Sequence, residues 1–266
     1  EKVLEQKGAI RAVGLEGGFS PNLATNTDAL EILFEACKGT AYTLSKDAFL
    51  GIDASPQNFS KGGRFIIKDK NEPMTSRQLI AFYQELHSQF RVFAFEDALL
   101  PDAWTDWKLL TAELGGTAMI VADDLVATNK TLLLKAIEEK SCNAVVIKPN
   151  RAGTVTETVE FISLAKQAHW HTILSHRSGE TNDDFGADLA VGVGTEYVKF
   201  GATSRGERVE KYNRLLRIQE LLEEWQKSGA VAAPAPQTPA FTHEERGSVQ
   251  AVEWVDRNNH ILIARD

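Results

Sequence analysis

Short apolar runs that each end in a polar residue recur along the chain, separated by segments of helical period. The runs span 48–53 (AFLGID), 92–97 (VFAFED), 118–124 (AMIVADD), 143–148 (NAVVIK), 171–176 (HTILSH) and 197–201 (YVKFG). Continuous apolar runs of this length read as strands buried on both faces. Residues 28–38, 76–90, 132–140, 156–168 and 208–226 repeat their apolar positions at helical spacing and read as helices. Thr75 and Thr154 are predicted N-caps, and Thr154-x-x-Glu157 has the spacing of a capping box. Strands alternating with helices predict parallel βαβ units, about six of them. Two architectures stay open at this point. A closed (β/α)8 barrel needs eight strands and roughly 250 residues, whereas a doubly wound sheet is satisfied with five or six strands. No Gly-x-Gly-x-x-Gly follows a strand and no Gly-Lys-Ser/Thr loop occurs, which weighs against nucleotide binding.

After residue 227 the alternation stops. Residues 228–242 (SGAVAAPAPQTPAFT) have the Pro/Ala-rich composition of a linker. Residues 249–255 and 261–264 then flank Asp256-Arg257-Asn258-Asn259 and read as a β-hairpin. Two strands alone are marginal in water, so the hairpin is expected to dock on a partner or fold back on its own chain. The expected division is 1–227, the main α/β unit; 228–242, a linker; and 243–266, the hairpin.

Polar residues fall in register. Asp53, Glu96, Asp123, Lys148, His176 and Lys199 sit at or near the C-terminal ends of predicted strands, at intervals of 43, 27, 25, 28 and 23 residues. One βα unit takes roughly 25–30 residues, so these groups should reach one face of a parallel sheet, the face that carries active sites in barrels. Taken singly, each is as well explained by a helix cap or a turn; six in register are not. Three carboxylates suit a hard divalent cation such as Mg²⁺. A lysine beside such an ion is disfavoured as ammonium and can serve as a general base. The set fits removal of a proton next to a carboxylate.

Composition narrows the class. With 266 residues and 43% apolar content the chain can bury a sizeable core without staples. Its net charge of −8 argues against nucleic acid as a partner, though a local cluster or bound cation could still hold a small anionic substrate. Cys37 and Cys142 form neither a disulfide framework nor a Cys-x-x-Cys site, which points to a reducing cytoplasm. No apolar stretch approaches the ~18 residues of a membrane span, and Arg11, Glu16 and Asp28 interrupt the N-terminal segment. A soluble cytoplasmic protein without a membrane span is expected.

The motifs around these residues resemble enolase, the glycolytic phosphopyruvate hydratase. Ser175 to Thr181 (SHRSGET) is similar to its signature, as are Val146 to Asn150 (VIKPN) and Gly153 to Thr158 (GTVTET). Gly14 to Asn22 (GLEGGFSPN), Phe95-Glu96-Asp97, Ala122 to Leu125, Arg205 to Arg208 and Lys211-Tyr212-Asn213 extend the match over about residues 8–225. Leu15, Ala122 and Asp53-Ala54-Ser55-Pro56 depart from the family pattern without removing a ligand.

The resemblance implies an α/β fold: an enolase-like TIM-type (β/α) barrel, incomplete, of about six βα units, plus the C-terminal β-hairpin. It implies that Asp53, Glu96 and Asp123 hold Mg²⁺. Lys148 would take the C2 proton of 2-phosphoglycerate, and Lys199 would pair with the substrate carboxylate. Glu16 would act as general acid on the C3 hydroxide. Arg177 and Ser178 would bind phosphate, His176 would line the site, and Asp124 would orient Lys148. A family member carries an N-terminal α+β domain, the first barrel strands and a closing loop ahead of the segment matching Gly14. The chain is therefore expected to form a homo-oligomer or to join a second chain that completes the fold. The reading from a different class is a non-catalytic enolase-like binding or assembly subunit.

Overall fold

In the computed structural model the chain is described for residues 1–68 and 70–228, and for the backbone of two strands at 251–255 and 261–264. The first part runs α1 (Lys2–Gln6), α2 (Thr27–Lys38), β1 (Ala48–Asp53), the two-residue strands β2 (Ser60–Lys61) and β3 (Arg64–Phe65), and α3 (Ser76–Phe90). It continues β4 (Val92–Glu96), α4 (Trp104–Leu114), β5 (Met119–Ala122), α5 (Lys130–Glu139), β6 (Ala144–Ile147), α6 (Pro149–Ala152) and α7 (Val155–Gln167). Then come β7 (His171–Ser175), α8 (Phe185–Val193), β8 (Tyr197–Lys199), α9 (Gly206–Lys227), β9 (Ala251–Val255) and β10 (Ile261–Ala264).

The sheet order is β10-β9-β1-β4-β5-β6-β7-β8. β1 and β4 to β8 are parallel neighbours, an incomplete barrel of the TIM type. β9 pairs parallel with β1 and β10 pairs antiparallel with β9, so the hairpin extends the sheet of its own chain. Among the described residues β8 and β10 are the two free edges. The linker read at 228–242 lies outside the described residues from 229 onward, as does the hairpin turn at 256–259.

Side chains alternate across a strand, and the sheet therefore sorts its apolar residues into two layers. Ala94, Met119, Val121, Ala144, Val146 and Ile173 pack together on one face. Phe95, Ile120, Ala122, Val145, Ile147 and Leu174 lie in the layer shared with Leu79, Trp107, Leu110, Leu133 and Phe161 of the helices. Each buried Val, Leu, Ile, Phe or Met among them contributes about 1.5–3 kcal/mol relative to exposure. Counting on by two from the first layer reaches Glu96, Asp123, Lys148 and Ser175, and from Tyr197 reaches Lys199. The polar residues are thus one step beyond an apolar plug, on the same face.

Helix starts follow local chemistry. Thr75 and Gln78 form a reciprocal capping box, and Thr154 Oγ1 accepts from Glu157 N at 3.1 Å. Asn129 Oδ1 accepts from Thr131 N and Leu132 N, so α5 begins two residues before the position its apolar period marks. Such caps are worth about 1 kcal/mol each. The period does not reveal α8, whose nine residues include Gly186 and Gly192. Burial of Ala187, Leu189 and Ala190 overrides that weak propensity. Among the described residues, no helix is long and apolar enough to cross a membrane.

Candidate active site

The register sets Asp53 directly beside Glu96 at the ends of β1 and β4. Lys199, at the end of β8, donates from Nζ to Asp53 Oδ2 and to Glu96 Oε1, both at 2.9 Å. Ser55 Oγ donates to the other Asp53 oxygen at 2.7 Å. Glu96 is fully buried, and its Oε2 has no hydrogen-bond partner. Burial, reinforced by the charges of Asp53 and Asp123, outweighs the pull of Lys199 and Lys148 and pushes Glu96 up to about 8. Burial works against the ammonium form of Lys199, but Asp53, Glu96 and Glu16 together hold its proton well above the ordinary range.

Asp123, just past β5, is ion-paired through Oδ2 with Lys148 Nζ and through Oδ1 with Arg151 Nη1 at 3.2 Å. The first turn of α6 carries Arg151 back over Lys148, three residues away, as helical spacing requires. Asp97 adopts a left-handed backbone (φ 42°), which turns its carboxylate under the next loop. There it accepts the N–H groups of Asp123 at 2.9 Å and Asp124 at 3.0 Å. Asp97, Asp123 and Asp124 offer oxygens within 4.8 Å of one another. Both Asp97 oxygens are nonetheless taken by backbone donors, which makes Asp97 a loop support.

One expectation is corrected here. Asp124 does not orient Lys148: its oxygens accept from Arg151 Nη2 at 2.7 Å and Gln57 Nε2 at 2.8 Å. The lysine belongs to Asp123 instead. Asp124 lies past the end of β5, in the turn that follows Asp123, and there it faces Arg151 and Gln57.

The loop bearing Glu16 is tied down by Ala202 N, which donates to Glu16 O at 2.8 Å, and by Ser204 Oγ, which donates to Gly17 O at 2.6 Å. Glu16 Oε2 lies 3.4 Å from His176 Nε2. Burial would raise Glu16, but the contact and charge of His176, with Lys199 and Arg208, hold it at about 2. Burial lowers His176 despite Glu16, with Arg208 and Lys199 adding to the effect. Behind both residues, the buried guanidinium of Arg208 donates to Arg177 O at 2.7 Å, Ser178 O at 2.8 Å and Leu15 O at 3.1 Å. It also lies 2.7 Å from His176 Nδ1. Lys211 holds Glu180 at 2.9 Å, and Glu180 accepts from Arg177 N at 2.9 Å.

These groups surround a polar cavity of about 270 Å³. Glu16, Asp53, Asp123, Lys148, His176, Arg177, Ser178 and Lys199 all line it, and Glu96 joins them through Lys199. The sequence reading gave no role to Arg151, Asp97 or Arg208. The first two flank assigned residues by three positions and one, and the third closes a motif quoted for the resemblance. What Mg²⁺ would find is a set of hard oxygen donors, one of them the buried and unpartnered Glu96 Oε2. A fully buried carboxyl oxygen without a partner, beside the carboxylates of Asp53 and Asp123, leaves a donor atom for a cation to satisfy, so these residues fit the ion.

A family model described as the enolase C-terminal TIM barrel domain matches residues 1–233. An enolase of Acidothermus cellulolyticus is 42% identical over 231 residues, which cover 87% of this chain and 53% of that protein. An enolase of Helicobacter pylori is 42% identical over 224 residues, 84% of this chain and 53% of the relative. An enolase 2 of Methanospirillum hungatei is 41% identical over 222 residues, with 84% and 52% covered. The chain spans about half the length of the curated relatives it matches.

Proposed function

The chain belongs to the enolase C-terminal TIM barrel family, and on that premise we propose that it is the catalytic-barrel portion of an enolase. In this reading residues 1–227 serve the interconversion of 2-phosphoglycerate and phosphoenolpyruvate, a Mg²⁺-dependent lyase step of glycolysis in the cytoplasm. One juxtaposition carries the reading: Lys148 and Lys199, each ion-paired with carboxylates, share a cavity with Glu16.

Asp53, Glu96 and Asp123 would hold Mg²⁺, which when bound supplies positive charge opposite the substrate carboxylate. Lys148 takes the proton from C2. A base must present a lone pair, so Lys148 acts as the neutral amine, its ammonium proton having passed to solvent. An amine N–H can still donate to Asp123 while the lone pair takes the C2 proton. Lys199 keeps its proton because Asp53, Glu96 and Glu16 surround it, and it meets the substrate carboxylate as a cation. Glu16 is a carboxylate in the free chain and must gain a proton to assist loss of the C3 hydroxide. An arriving phosphate and carboxylate raise its proton affinity by like-charge repulsion. Arg177, at the rim, and Ser178 receive the phosphate, to which a guanidinium offers a planar fork.

Free sheet edges invite pairing, and β8 and β10 are free among the described residues. We therefore read the working form as a homo-oligomer or a complex with a second chain. The alternative, a non-catalytic enolase-like binding or assembly subunit, is favoured by one observation: both oxygens of Asp123 are already neutralised by Lys148 and Arg151. C2 proton exchange and phosphoenolpyruvate formation, measured with Mg²⁺ and after its chelation, separate the two. Lys148→Ala should abolish exchange and keep Mg²⁺ binding, and Asp123→Asn should weaken Mg²⁺ binding. Parental exchange in Lys148→Ala refutes the base assignment, and no exchange in the parent even with a chain supplying the rest of the enolase fold favours the binding subunit.

A further inference from the structure

Arg208 is a buried cation whose position is over-determined. Three backbone carbonyls, those of Leu15, Arg177 and Ser178, accept from its guanidinium, so it is held in place without help from His176. Besides these and a 4.0 Å approach of Nε to Glu207, the guanidinium makes a hydrogen bond to His176 Nδ1 at 2.7 Å. A guanidinium has five N–H donors and no acceptor, so at this distance Nδ1 can only be the acceptor. A neutral imidazole carries one proton, and here it must lie on the opposite nitrogen.

We infer that Arg208 is a positioning residue that locks His176 in the tautomer with its proton on Nε2 and so aims that proton at Glu16. The opposite nitrogen is buried and has no partner in hydrogen-bonding geometry, and its nearest charged oxygen is Glu16 Oε2 at 3.4 Å. The backbone that carries the ring is fixed to the end of β8, because His176 N donates to Lys199 O at 2.9 Å. Gly201 (φ 83°) leaves room for the arrangement: a Cβ there would stand 2.9 Å from His176 Cε1 and 3.0 Å from Arg208 Cδ. The same guanidinium anchors Leu15, next to Glu16, so it sets both partners of the contact. The charged groups facing the imidazole are Glu16 on its loop, Arg208 on α9 and Lys199 at the end of β8. The catalytic meaning of the contact rests on the function proposed above, whereas the tautomer does not.

The test is a long-range ¹H–¹⁵N correlation spectrum of the full chain labelled at its six histidines, near neutral pH. His176→Gln identifies the signals by their loss. The parent should show a protonated Nε2 and a bare Nδ1. Arg208→Lys, which keeps a donor and the charge, should retain that pattern, and Arg208→Met should lose it to a mixture of tautomers. A proton on Nδ1 in the parent overturns the inference, and so does an unchanged pattern in a folded Arg208→Met. If Arg208→Met does not fold, the parental and Arg208→Lys spectra decide. The spectrum reads no turnover, so inactivity toward 2-phosphoglycerate even with a chain that completes the fold would defeat the proposed function and leave the tautomer standing.

Discussion

Gly201 is where the site loops meet most closely, and replacing it with alanine probes that meeting directly. Its backbone lies in the left-handed region at φ 83°. A Cβ there would fall 2.7 Å from Glu16 O, 2.9 Å from His176 Cε1 and 3.0 Å from Arg208 Cδ. Two penalties should add. Left-handed backbone costs an alanine about 1–2 kcal/mol. Forcing a methyl into a packed site costs about 1–3 kcal/mol more. Gly63 separates them, because it has a similar φ of 73° and nothing within 4 Å of its Cβ position. Gly63→Ala should lose only the backbone share. Gly201→Ala should lose about 2–5 kcal/mol, the sum of the two penalties. Urea unfolding of parent and both variants, followed by fluorescence and near-ultraviolet dichroism, reads the difference as a shift of roughly 1 M in midpoint for the packing share. Equal losses in the two variants would mean that Glu16, His176 and Arg208 do not close around Gly201.

Lys199→Met should destabilise the metal-free chain by about 3–5 kcal/mol, since it strips a buried cation from the Asp53 carboxylate and leaves the buried Glu96 carboxyl without its donor; a midpoint within error of the parent would refute the pairing. Glu16 is depressed from 4.5 to about 2, so its stabilisation is complete above the unfolded value and is lost as pH falls through about 2. Glu16→Gln should accordingly flatten the acid limb of the stability curve, and an unchanged limb would show that Glu16 is not held by His176, Lys199 and Arg208. Light scattering of the purified chain should give a mass above that of one chain. A monomer with full turnover would show that edges β8 and β10 need no partner.

Much of this protein is legible in one dimension. Apolar runs of strand length mark β1 and β4 to β8, since burial on both faces leaves few polar positions to confuse the pattern. The spacing of Glu96, Asp123, Lys148 and Lys199 places them on one face because βα units repeat at roughly 25–30 residues, and Asp53 joins them across a 43-residue step that β2 and β3 lengthen. Local caps at Thr75 and Thr154 are equally readable, as they involve residues three apart. Which charges pair is a different matter. Lys199 meets Asp53 across 146 residues and Glu96 across 103, and only chain closure into the sheet sets those distances. The same holds for Arg208, whose four partners come from the Glu16 loop and the loop after β7. Ionisation also belongs to the tertiary level: Glu16 carries the residue type of an acid, yet neighbours brought from β7, β8 and α9 keep it a carboxylate. The side-chain types and their face follow from local periodicity, whereas their partners and protons follow from contacts between segments that no local pattern encodes.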